Sequence, residues 1–321
     1  MVNHTGLNEF FLLGFSEFPE LQLPLFTLFS LLYLMAVLGN LLVICIVCAD
    51  DHLHTPMYFF LANLSFLDIS SLKVTVPKLL AILLTQSNTI SFNACIIQMY
   101  GFSVSVSVEF TILTIMAYDR YVAICSPLHY ITIMNKRVCA LLSAVSWVKG
   151  FLETLPHMLF ISQFSFCDSN VINHFFCEMP AVLELSCTDT SVIEPVTYGA
   201  SVLALFIPFL LTLTSYVFII STILKIRTKE GKSKAFSTCS SHLTVLILLY
   251  GTIIGLYLLP RSGDSVKTNK LITALYTVIL PLLNPLIYSL RSKELNVALK
   301  NVIGRKSKFI NNQTLLEAPS N

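Results

Sequence analysis

The chain has 321 residues, of which 55% are hydrophobic and 12% charged, with 20 Lys and Arg against 18 Asp and Glu. With a mean hydropathy of +0.76, this balance excludes an ordinary soluble domain. It is the composition of a membrane protein, for which the bilayer is a partner and no nucleic acid is expected.

The amino-terminal stretch, residues 1–23, lacks the basic start and cleavage-site pattern of a signal peptide. The first helix is therefore expected to act as an uncleaved anchor. Asn3-His4-Thr5 fits a glycosylation acceptor. Apolar stretches long enough to cross a bilayer, roughly 20 residues each, follow at 24–48, 57–80, 95–120, 140–163, 196–224, 236–260 and 271–290. Seven helices is the most economical count. Nothing alternates with the short period of barrel strands, and a helical bundle is the other architecture that hides the backbone from lipid.

Basic residues orient the bundle. Lys136 and Arg137, the group Lys225, Arg227, Lys229, Lys232 and Lys234, and the group Arg291, Lys293, Lys300, Arg305, Lys306 and Lys308 fall on one side of alternating helices. By the positive-inside rule that side is cytosolic, which puts the N-terminus and Asn3 outside. The expected organisation is an extracellular segment 1–23, a seven-transmembrane α-helical domain 24–290, and a cytosolic tail 291–321 with a short amphipathic helix. The expected location is the plasma membrane. Asn63-Leu64-Ser65 also fits the glycosylation pattern, but it lies inside a helix.

Cysteines divide by compartment. Cys95, Cys167, Cys177 and Cys187 face the oxidising side and allow three pairings. Cys45, Cys48, Cys125, Cys139 and Cys239 lie in helices or near the cytosol, where reduced thiols pack as small hydrophobes.

Four stretches, HTPMYFFLANLSFLD, MAYDRYVAICSPLHY, KAFSTCSSHL and PLLNPLIYSL, occur in this order, each where a helix meets or crosses the membrane. Together they resemble the olfactory receptors among the rhodopsin-like G-protein-coupled receptors, over nearly the whole chain. The outer-loop cysteines and NHFFCEMPAVLELSC look like the tetrapod-type class. The resemblance implies two disulfides, Cys95 with Cys177 and Cys167 with Cys187. It also implies a switch that couples to a heterotrimeric G protein. Asp119 and Arg120, with Tyr121 beside them in the switch motif, would be the pair that holds the resting state, and Tyr216, Asn284, Pro285 and Tyr288 would repack around Arg120 on activation.

Arg120 lies 25 residues past Cys95, roughly 37 Å along a helix, which sets it at the cytosolic rim. Asp68 and Glu109 share a depth of roughly 16–18 Å from that side. Buried acids in a membrane are costly and mark functional sites; two together either share a proton or hold a cation. The resemblance implies a sodium ion on Asp68 and Glu109, with Asn40 and Asn284 nearby. Otherwise no cofactor is expected. Pro281 and Pro285 interrupt the seventh helix and Pro208 the fifth, marking moving parts.

For the outer pocket, the expected lining is Phe102, Ser103, Val106 and Ser107, with Ser201 and Leu205, then Ile253, Ile254 and Tyr257, and Thr277. No acid stands between Cys95 and Glu109, and no lysine stands in LITALYTVILPLL. An amine counter-ion and a retinal Schiff base are thereby excluded. A site of apolar side chains and a few hydroxyls suits a small, neutral, lipophilic ligand. Lys149 and Glu153, one turn apart on the fourth helix, share a face and either neutralise each other or line the pocket. Lys149 departs from the family pattern, as does Ser292 in SLRSKE.

The seven histidines are scattered and form no catalytic cluster, so an enzyme is not expected. A transporter would show internal repeats, and none is visible. The reading is an odorant receptor that raises cyclic AMP through an olfactory-type stimulatory G protein. A receptor for a non-odorant lipophilic metabolite is the alternative.

Overall fold

The computed structural model describes residues 9–16, 19–166, 169–188, 191, 193–258, 270, 272–291 and 294–299. Among the described residues there are seven longer helices: α1 (Gln22–Ala49), α2 (Pro56–Thr85), α3 (Phe92–Cys125), α4 (Lys136–Ile161), α5 (Ile193–Lys225), α6 (Lys229–Leu258) and α7 (Leu280–Arg291). A π-helical turn, Leu275–Ile279, leads into α7. Residues 294–299 are helical as well, with Leu295 and Ala298 buried against the bundle.

Local chemistry sets the helix starts. Pro56 stands in the first turn of α2, where its missing N–H costs nothing. Ser91 caps α3 by accepting from the Ala94 N–H, and the Asn135 side chain caps α4 by accepting from Arg137 and Val138. Pro281 cannot donate a backbone hydrogen bond, and the wide π turn just before it absorbs that break.

By length and composition, four helices among the described residues can cross a membrane, or five if bent α6 counts as one span. Two segments of α6, Lys229–Ser237 and Cys239–Gly255, meet at 46°. Hydroxyls around the bend bond back to the helix, Ser240 to the Ser237 carbonyl and Thr244 to that of Ser240, which favours bending. Helix α2 is 30 residues long but more polar, carrying Asn63, Asp68 and Lys73.

Helix α3 is the hub, packed against α2, α4, α5 and α6, while α1 packs on α2 and α7. Small residues permit the closest approaches. A Cβ on Gly150 of α4 would stand 2.6 Å from Val108 of α3. Outward faces such as Leu34, Leu38, Leu152 and Leu211 are exposed, as a lipid-facing surface requires.

The all-α expectation misses one feature. A small sheet of order β2-β1-β3 closes one end, with β1 (Glu9–Leu12) antiparallel to β2 (Thr89–Ser91) and parallel to β3 (Val171–Ile172). Phe10 and Leu12 alternate inward and are fully buried. They join the Cys95, Ile172 and Cys177 cluster, which explains why so short a strand is ordered.

Candidate functional site

Three groups of side chains stand along the axis of the bundle. At the end away from the small sheet, Asp119 Oδ2 accepts from Arg120 Nε at 2.9 Å and from Arg120 Nη2. Tyr130, in the one-turn helix Tyr130–Ile133, donates its hydroxyl to Asp119 Oδ1 at 2.8 Å. Burial, reinforced by the Asp119 charge, raises the Tyr130 phenol's pKa and keeps it a donor. The pair is buried within the protein, with Asp119 0% and Arg120 8% exposed. The reason is that α3 runs on to Cys125 and the loop folds Tyr130 back over the acid.

Tyr121, beside the pair, sets its ring against Tyr118 and Phe218 at 6.1 and 5.9 Å. Tyr216 of α5 shares a hydrogen bond with Nδ1 of fully buried His242 at 2.9 Å. Tyr288 is buried with its hydroxyl unpartnered. Pro285 packs where a Cβ on Gly39 of α1 would come within 3.2 Å of its ring.

Midway along the axis, Asp68 Oδ2 accepts from Asn284 Nδ2 at 3.0 Å, and Glu109 Oε2 accepts from the Tyr276 hydroxyl at 2.9 Å. The two carboxylates are close enough to interact electrostatically. Asn40 donates to the carbonyls of Ala36 and Pro281, tying α1 to α7. The amide oxygens of Asn40 and Asn284 are buried without a partner. This set of hard oxygen donors fits a small cation better than a softer metal. No group of three or more His, Cys, Asp or Glu suited to a metal occurs among the described residues.

Toward the sheet end, Phe102 meets Phe176 edge-on at 4.9 Å and Tyr276 at 6.1 Å. Val106 and Leu205 pack against the main core, Ile253 is buried, and Thr277 is buried with its hydroxyl on the Thr273 carbonyl. Ser103 is half-buried. Ser201 is exposed and bonds to the Thr197 carbonyl, while Ile254 is 48% exposed. The Tyr257 side chain, Asn3 and Cys167 lie outside the described residues. Ser107 donates to Glu153 Oε2 at 2.7 Å, and Lys149 Nζ reaches Glu153 at 2.7 Å and Ser107 at 3.3 Å.

The loop that carries Cys177 is fastened over this region. Cys95 and Cys177 are bridged. Gln98 accepts from the Cys177 N–H at 2.9 Å and donates to the Val74 carbonyl. His174, Phe175 and Phe176 form an aromatic stack continued by Phe15. Burial, with the Lys270 ammonium adding to it, pushes His174 down to about 3. Its Nε2 comes to 3.4 Å from Glu178 and completes no hydrogen bond.

Tyr130, His242, Tyr276 and Gln98 escaped the sequence reading as site residues. Tyr130 and His242 sit inside motifs quoted above, SPLHY and SSHL. For Tyr276 and Gln98 no local pattern exists, because their partners lie 167 and 79 residues away in sequence.

An apolar helical bundle with a buried ionic pair at one end and a disulfide-fastened loop at the other is a multi-pass membrane protein of the receptor kind. A family model described as "Olfactory receptor" matches residues 29–306. Olfactory receptor 1J1 of Mus musculus is 48% identical over 307 residues, covering 96% of this chain and 98% of the relative. Olfactory receptor 1F1 of Homo sapiens is 48% identical over 303 residues, covering 94% and 97%. The mouse olfactory receptor 1M1 is 46% identical over 304 residues, covering 95% and 97%. The chain belongs to the olfactory receptor family, G-protein-coupled receptors of sensory transduction rather than enzymes.

Proposed function

We propose that this chain is an odorant receptor whose small, neutral, lipophilic ligand occupies the apolar region around Phe102, Val106, Leu205, Ile253 and Thr277. Its seven helices all cross the plasma membrane, with the N-terminus outside and the Arg120 end in the cytosol. Ligand binding biases a two-state equilibrium toward a form in which Arg120 leaves Asp119 and engages an olfactory-type stimulatory G protein, raising cyclic AMP. Tyr216, Tyr288 and Asn284 form the surroundings that repack.

The observation that carries this reading is the arrangement at Asp119. One carboxylate holds both Arg120 and Tyr130, so a single release frees the guanidinium. Nearby, the Tyr288 hydroxyl is buried without a partner, a ready acceptor for a group that moves.

A sodium ion held by Asp68 and Glu109 would stabilise the resting form, and the unpartnered Asn40 and Asn284 oxygens support that reading. Cys167 with Cys187 is the second outer disulfide of the proposal, and Asn3 the glycosylated residue.

The test is a cyclic-AMP screen of cells displaying the chain, against a chemically diverse odorant panel, with and without the olfactory-type G protein. Ligand-dependent cyclic AMP that needs that G protein supports the proposal. A response carried equally by cells lacking it contradicts the coupling.

A further inference from the structure

The Lys149, Glu153 and Ser107 cluster is polar machinery that the switch does not use. Ser107 lies 13 residues outward of Arg120 on α3, about 20 Å along the helix. Headgroups do not reach that depth, and an ion pair there carries a desolvation cost that needs a reason. The pair is also not sealed: the Lys149 side chain is 40% and the Glu153 side chain 31% exposed.

The opening can be placed. Helix α3 touches α5 where Thr114 Oγ1 comes within 3.4 Å of the Pro208 carbonyl and 3.3 Å of Thr212 Oγ1. It touches again where the Cys125 thiol meets Thr222, so the two helices run in the same direction. Seven residues outward of Thr114 and Pro208 stand Ser107 and Ser201, two helical turns up the same faces. Helix α3 packs on both α4 and α5, whereas among the described residues α4 and α5 make no extensive contact with each other. The ion pair therefore lines a cleft between α4 and α5 whose floor is α3.

Inside the cleft the hydrogen-bonding capacity is unfilled. An ammonium has three N–H donors, and Lys149 spends two, on Glu153 Oε2 and Ser107 Oγ. Glu153 Oε1 accepts none of the bonds that hold the cluster, all of which go to Oε2. The dyad thus presents one charge-assisted donor and one charged acceptor, with no net charge, in an apolar setting.

We infer that Lys149 and Glu153 form a specificity site that selects ligands carrying a single oxygen function, an alcohol, aldehyde or ketone on an apolar skeleton. The ligand oxygen accepts from Lys149, and an alcohol also donates to Glu153. Ser107 holds the pair in position. Ionised ligands are disfavoured because the dyad is neutral overall. The inference rests on the odorant-receptor reading and deepens it.

The test compares potencies within matched sets, 1-octanol, octanal, 2-octanone and n-octane, and cyclohexanol, cyclohexanone and cyclohexane, read as cyclic AMP at equal surface display. The wild type is expected to respond to oxygenated members at least about tenfold better than to the matched hydrocarbon, about 1.4 kcal/mol. Lys149→Met should abolish that preference. Lys149→Met with Glu153→Leu, which leaves no buried charge unpaired, keeps the measurement meaningful if the single variant does not reach the surface. It should respond to all members alike. A displayed double variant with the wild-type preference overturns the inference and makes the pair only a tie between α3 and α4. A displayed wild type that answers other members of the diverse panel but prefers no oxygenated member of these sets overturns the inference and leaves the odorant reading standing, whereas silence to the whole panel counts against that reading itself.

Discussion

Tyr130→Phe isolates one bond of the proposed switch without touching Asp119 or Arg120. The change deletes the hydroxyl that donates to Asp119 Oδ1 at 2.8 Å and keeps the ring. A hydrogen bond to a charged group contributes about 1.5–3 kcal/mol. The lower figure multiplies an equilibrium constant by about 12. From a resting receptor that is about 1% active, ligand-free signalling should rise to roughly a tenth of maximum. The assay is cyclic AMP without odorant, normalised to surface display, with Tyr118→Phe as an exposed control; Tyr118 is 42% exposed. Basal activity unchanged in Tyr130→Phe, with the agonist response intact, would refute the idea that this bond holds the resting state.

Other consequences concern stability. Cys95→Ser removes the tie between α3 and the loop that carries Cys177 and should abolish surface display, measured by flow cytometry of an N-terminal tag. Gly150→Ala forces a Cβ to 2.6 Å from Val108 and should cost about 1–3 kcal/mol, seen as a lower melting temperature in detergent. Gly251→Ala, with nothing within 4 Å of the added atom, should melt no lower than the wild type, since alanine favours the helix. His174 stays neutral when folded, its pKa depressed from 6.5 to about 3. The unfolded chain therefore binds the extra proton first, and stability is full above about pH 6.5 and lost as pH falls toward 3. At pH 5 the loss from this group is about 2 kcal/mol. Glu178 at 3.4 Å and Lys270, which faces the ring, modulate the figure with opposite signs. His174→Gln should flatten the pH 7.4 to pH 5 difference in melting temperature.

The sequence locates the helices because a bilayer-spanning run has to be apolar, and the ends are where it loses accuracy. Expected runs 57–80 and 95–120 become Pro56–Thr85 and Phe92–Cys125, because backbone hydrogen bonding continues past the apolar stretch until a cap or turn stops it. Asp119 and Arg120 are legible as a motif, but their burial is not, since it depends on Tyr130 folding back from the loop. Strand β1 is equally hidden. The four residues EFFL alternate too briefly to identify a strand, and its partners Ile90 and Val171 are far along the chain. Lys149 and Glu153 show their one-turn spacing in the sequence, yet the role of Ser107 as the third member needs α3 and α4 side by side.

In the proposed switch, ligand binding drives G-protein activation through Arg120. Agonist-stimulated nucleotide exchange on purified olfactory-type G protein, in membranes holding equal amounts of wild type and Arg120→Ala, tests it most directly. Exchange should rise with agonist in the wild type and stay at the ligand-free level in Arg120→Ala, with agonist binding retained. Equal agonist-driven exchange in both would contradict it.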